Sequence, residues 1–185
     1  MTHLIAGNDP VNQPREINCD SNGNLIPIDF WHNQVHEGDV WTLNYLEEAL
    51  ANTGEMVLCG TTGSKTLHVI IEYANGGDGT FKTYTGATIT GGTAPDGVKL
   101  SVFNRNPSKQ KPLLTQFVYA PTVNALGTPR GLRAITGGSG GNSTGGKGNN
   151  GVESNIPPNT KFLFIAKNLS GNVKIAEISI DMYEA

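Results

Sequence analysis

Beyond the first forty residues, apolar and polar positions alternate with a period of two. Leu67, Val69, Ile71 and Tyr73 share one face of an extended segment while His68 and Glu72 take the other, the signature of a half-buried strand. The pattern recurs at Val98, Leu100 and Val102, at Leu113, Thr115, Phe117 and Tyr119, and at Phe162, Phe164 and Ala166. Shorter candidate strands run over 26–31, 40–43, 55–60, 80–85 and 131–136. The last segment switches parity: Val173 and Ile175 lie on one side, then Ala176, Ile178, Ile180 and Met182 on the other. A regular strand cannot do that, so a bulge or bend is expected near Ile175.

The runs are separated by Asn22-Gly23, by 75–79 (Asn-Gly-Gly-Asp-Gly) and by Pro95-Asp96-Gly97, residues that enter tight turns at little steric cost. Eight to ten short strands punctuated in this way predict an all-β fold, an antiparallel β-sandwich of jelly-roll type. One short connector helix is expected after Asn44, with Glu47 three residues on as in a capping box, Leu46 and Leu50 on one face, and Gly54 as terminator. Residues 1–35 read as an N-terminal arm and hairpin, and residues 36–185 as the sandwich with a Gly-rich loop at 137–151. Arm and loop hold too little apolar surface to offset their own ordering entropy, so they are expected to order against neighbouring chains.

Composition narrows the function. Thirteen Lys and Arg stand against sixteen Asp and Glu in 185 residues, and only 16% of residues are charged. Nucleic-acid binding, which needs a clustered basic surface, is not expected. The longest apolar runs are five or six residues, far below the roughly 20 of a membrane-spanning helix, and the first residues lack the basic and apolar regions of a secretory signal. Synthesis in a cytoplasm is the expectation. Of the two cysteines, Cys19 and Cys59, buried thiols are expected more than a disulfide.

The formal motifs reduce to composition or turns. The run 137–141 fits G-x-S-x-G, but without a following helix the strained strand-to-helix turn is missing. The run 141–147 imitates a phosphate loop, but Gly148 stands where Ser or Thr must bind magnesium. His32 and His36 are four apart, as for a metal on a helix face, yet Pro27 with Ile26, Ile28 and Phe30 argues for extended chain there. The calcium-like start at Asp20 has Leu25 where Gly is needed. Trp31, Trp41, Tyr73 and Tyr84 could form a sugar-stacking platform, although Tyr73 is in phase with a core face. The carboxylates are scattered, so no catalytic residue, cofactor or metal is assigned.

The order of segments carries more. His36-Glu37-Gly38 is followed by Tyr84-Thr85-Gly86-Ala87-Thr88, Gly92-Thr93, Asn104-Arg105-Asn106, Pro158-Asn159-Thr160 and a closing Tyr183-Glu184. This colinear series over about residues 35–184 resembles a family of tailed-bacteriophage virion structural proteins, with Phe162 where a Tyr is common and Met182 where a Trp is common. The resemblance implies a capsid decoration protein on the outside of the phage head, made in the host bacterial cytoplasm, with the major capsid protein as partner and neither nucleic acid nor membrane. The alternative is a tail, neck or fibre component, including receptor or carbohydrate binding. A homotrimer is expected, because a head offers local three-fold sites. Candidate assembly contacts are Leu4, Ile5, Pro10, Val11, Pro14 and Ile17 in the arm, with Ile70, Leu163 and Ile165 as apolar outward-facing positions.

Overall fold

The protein is described from a computed structural model, which defines residues 30–137, 146–149 and 153–185. Helix α1 (Phe30–Glu37) precedes thirteen strands: β1 (Val40–Leu50), β2 (Glu55–Thr61), β3 (Leu67–Asn75), β4 (Gly79–Thr85), β5 (Thr88–Thr90), β6 (Leu100–Asn104), β7 (Gln116–Tyr119), β8 (Thr122–Ala125), β9 (Thr128–Ile135), β10 (Gly146–Asn149), β11 (Ser154–Ile156), β12 (Lys161–Asn168) and β13 (Lys174–Glu184). One sheet runs β10-β3-β13-β1-β6, with β11 also on β3, and the other runs β7-β2-β12-β4-β9. All pairings are antiparallel.

Consecutive strands β1, β2, β3 and β4 alternate between the sheets, and β12 and β13 return through the middle of each. This is jelly-roll winding: β1-β13-β3-β10/β11 faces β2-β12-β4-β9. The chain between β4 and β9 widens one edge, adding β6 beside β1 and β7 beside β2, and also contributes the two-stranded ribbon β5-β8.

The alternation seen in the sequence fills the space between the sheets. Trp41, Leu43 and Tyr45 of β1, Leu67, Val69, Ile71 and Tyr73 of β3, Phe162, Phe164 and Ala166 of β12, and Ala176, Ile178, Ile180 and Met182 of β13 join one buried cluster. Phe81 lies nearly parallel to Tyr73, with 5.5 Å between ring centroids. Aromatic pairs of this kind add about 0.5–1.5 kcal/mol beyond the area they bury. Strand β12 is buried on both faces, which accounts for its run of Phe, Leu, Phe, Ile and Ala.

Three expectations are corrected. Residues 44–54 form no helix: β1 runs to Leu50, and Gly54 lies in the turn to β2. A register shift pairs Glu47 with Ala176 and Leu50 with Lys174, three steps on β1 against two on β13. This bulge returns Leu50 to the core, and the resulting Leu46-to-Leu50 spacing imitates a helix face. The irregularity expected at Ile175 is therefore present in the ladder, but the extra residue belongs to the partner strand. Conversely, Phe30 and Trp31 begin a helix, not a strand. Gly38 ends it with φ of +75°, donating its N–H to Val35 O, while Asp39 N–H bonds Gln34 O, the paired C-terminal lock that needs a left-handed residue. This helix crosses the expected boundary between residues 35 and 36. Gly146–Asn149, inside the Gly-rich run, pairs with β3.

Candidate functional site

The expected contacts separate clearly. Leu4, Ile5, Pro10, Val11, Pro14 and Ile17 lie outside the described residues. Ile70 is half-buried on the outer face of β3, paired with Asp181. Leu163 and Ile165 are buried within the chain. Leu163 packs with Cys59 and Ala87, bordered by Ile89 and Val123 of the β5-β8 ribbon. Leu163 is thus covered by the ribbon and Ile165 is buried, so this row is not a free subunit contact.

One group of exposed apolar residues lies at one end of the sandwich, where the β1–β2, β3–β4 and β12–β13 turns meet the end of β9. Fully buried Asn168 donates its side-chain amide to Leu50 O (2.9 Å), Ala51 O (3.2 Å) and Asn172 O (2.7 Å), and its Oδ1 accepts Ser170 N–H. Asp78 O accepts Leu169 N–H at 2.8 Å, and Asp78 Oδ1 accepts Gly137 N–H at 2.8 Å. Gly171 N–H bonds Asn52 Oδ1 and Gly76 N–H bonds Ile175 O. On this laced platform Leu169 is 45% exposed and Val173 and Ile175 are each 60% exposed. Sequence reasoning noticed Val173 and Ile175 through their parity but read a kink; being out of phase with a core face was itself the sign of exposure.

At the opposite end, α1 and Glu153, just before β11, are held against the outer face of the first sheet. Trp31 meets Tyr183 edge-on at 5.0 Å, and the His68 ring stacks on Tyr183 at 4.4 Å. Glu153 Oε1 accepts the Tyr183 hydroxyl (2.9 Å) and lies 2.5 Å from His68 Nδ1. Burial raises the Glu153 carboxyl, but hydrogen bonds from His68, Tyr183 and Trp31 outweigh it and leave it below its ordinary value. Burial first, then Glu153, pushes the Tyr183 phenol up to about 12. The phenol therefore stays a hydrogen-bond donor at neutral pH, and the group acts as a clasp. Beside it, a cleft of about 400 Å³ opens between the sheets, with Val69, Ile71, Phe162 and Phe164 as floor and Arg130 at its lining. Arg130 Nε is engaged by Thr85 Oγ1 at 2.8 Å.

The aromatic platform does not form. Trp41 and Tyr73 are buried between the sheets and Trp31 is turned edge-on to Tyr183. Cys59 is a buried free thiol, pushed up to about 11 by burial, with Lys161 opposing; Cys19 lies outside the described residues. Among the described residues no three His, Cys, Asp or Glu side chains converge as metal ligands, and no helix is long and apolar enough to cross a membrane.

The motif positions behave as joints. Asn104 Nδ2 donates to Gly38 O and Asn106 Nδ2 donates to His36 O, so the Asn-Arg-Asn and His-Glu-Gly segments clamp each other. Arg105 reaches Asp181 at 3.5 Å. Asn159 takes φ of +53°, and Thr160 N–H bonds Thr62 Oγ1. Glu184 accepts the N–H of Leu114 and both the N–H and hydroxyl of Thr115. No protein-family model matches the chain, and no curated protein matches it in sequence.

Proposed function

We propose that this chain is a virion structural protein of a tailed phage, acting as a decoration protein on the outside of the head with the major capsid protein as its partner. The observation that carries the reading is that motif residues such as Gly38, Asn104 and Asn106 are the hydrogen-bonded joints of a jelly roll, while three exposed apolar residues, Leu169, Val173 and Ile175, sit together on a platform stiffened by Asn168 and Asp78. A protein that binds by presenting a fixed surface needs such joints, since a preorganised contact loses less entropy on docking. Val173, Ile175 and Leu169 then supply the apolar centre of the head contact. The N-terminal arm within residues 1–35 adds a second attachment to a neighbouring subunit or to the capsid.

Electron microscopy of virions assembled without the protein tests the reading. Normal tails on heads that lack surface projections, and that lose DNA or burst more readily, are expected. Altered tails, necks or fibres on unchanged heads would move the protein to those structures and overturn the decoration role.

A further inference from the structure

We propose that His32 and His36 form a bidentate site for a borderline divalent transition metal of the Zn²⁺ class. They stand four residues apart on α1, both exposed, with their Nε2 atoms 2.9 Å apart and their ring planes at 71°. Two imidazole nitrogens each about 2.0–2.1 Å from one metal ion and about 90–110° apart lie about 2.9–3.4 Å from each other. The pair already holds that separation. Without metal, one ring donates an Nε2–H to the other; with metal, that ring takes its Nδ1–H tautomer, so both neutral imidazoles present Nε2 lone pairs and no net proton is released.

The backbone beneath the pair is fixed at both ends, so little order remains to be imposed on binding. Trp31 is held edge-on to Tyr183. At the other end, His36 O accepts Asn106 Nδ2 at 2.9 Å, and the Gly38 and Asp39 N–H groups close the last turn. Two imidazoles select Zn²⁺, Co²⁺, Ni²⁺ or Cu²⁺ over Mg²⁺ and Ca²⁺, which take oxygen ligands. Water completes the coordination on the open side of the helix.

The test is titration calorimetry of untagged full-length protein with ZnCl₂, in a His3→Ala background so that a histidine close to the amino terminus does not compete. One-to-one uptake is expected, lost in His32→Ala and in His36→Ala and kept in His68→Ala, whose ring is engaged by Glu153 and Tyr183. Alanine favours helix, and circular dichroism confirms that each variant folds. Imidazole NMR signals of the unsubstituted pair give an independent readout, with His32 and His36 shifting together and His68 unmoved. No uptake, or uptake undiminished in both single variants, overturns the site.

Discussion

Asn104 donates its side-chain amide to the carbonyl of Gly38 at 2.8 Å, joining the end of β6 to the turn between α1 and β1. Gly38 is constrained twice there. Its φ is +75°, and a Cβ at this position would lie 1.7 Å from Lys109 O. Backbone, not a flexible side chain, would have to move. Gly38→Ala is therefore expected to destabilise by about 2 kcal/mol or more, combining a left-handed conformation with a steric clash. Asn104→Ala, which leaves a carbonyl unpaired, is expected to lose about 1–2 kcal/mol. Urea unfolding measures both, and a Gly38→Ala midpoint equal to that of the parent would contradict the close approach.

Asp96 sets the acid side of the stability profile. Its carboxylate accepts the Tyr119 hydroxyl at 2.7 Å and the N–H groups of Val98, Lys99 and Leu100. The Tyr119 bond first, then the backbone bonds to Val98 and Leu100, hold it well below the usual carboxylate range despite an opposing desolvation effect. The folded state thus binds fewer protons at this group than the unfolded chain. Its contribution is present above the ordinary Asp value and is lost as pH falls through the carboxylate range. Asp96→Asn should flatten the decline of Tm between about pH 4 and pH 2. A decline as steep as the parent's would show that other carboxylates control it.

The strands that line the core were legible because each has one buried face: Leu67 to Tyr73 and Phe162 to Ala166 occupy the predicted positions. What misled were local patterns that tertiary contacts override. Asn44 with Glu47 imitates a capping box, but Tyr45 is pinned in the core opposite Ile178, and burying that ring outweighs a modest helix preference. The helix at residues 30–37 was hidden because its anchor, the edge-on contact of Trp31 with Tyr183, joins positions 152 residues apart in sequence. A separation of 118 residues likewise conceals the convergence of Asn168 with Leu50, so the platform could not be read from the chain, whereas the parity of Val173 and Ile175 could.

The platform predicts a separation of folding from attachment. Val173→Ser with Ile175→Ser removes two side chains that are each 60% exposed, so unfolding should shift by no more than about 0.5 kcal/mol. Co-sedimentation with heads that lack the protein should fall sharply. Asn168→Ala should do the opposite first, costing about 2–4 kcal/mol of stability, because it leaves the carbonyls of Leu50, Ala51 and Asn172 without their donor. Full head binding by the folded double variant would remove this end of the sandwich from the contact.

Cys59 is expected to be inert while the protein is folded. Burial pushes its thiol up to about 11, and Ala87, just before β5, and β12 residue Leu163 pack on it, so neither thiolate nor access is available. In a Cys19→Ser background, Ellman's reagent should react only after denaturant is added. Rapid reaction of the native protein would mean that the β5-β8 ribbon opens readily.

The proposed homotrimer would need a contact other than Leu163 and Ile165, which are buried within the chain, and β9 is a surface that fits. Residues 128–134 are all exposed, Leu132 at 69%, and β9 ends its sheet. An edge strand offers unpaired N–H and C=O groups to another chain. A two-fold antiparallel pairing of β9 centred between Gly131 and Leu132 would set Arg130 opposite Arg133 of the second copy, and like charges across a pair of strands repel. A three-fold arrangement avoids this, because each β9 meets a different surface of the next copy. Three linked subunits also add their attachments through effective concentration, so a head contact that is weak in one copy becomes firm in three. Light scattering of the full chain should give about three times 19.6 kDa at micromolar concentration, and Leu132→Asp should return it to the monomer while leaving the circular dichroism spectrum unchanged. A parent mass near 19.6 kDa would sink the preformed trimer and leave assembly on the head as its only route.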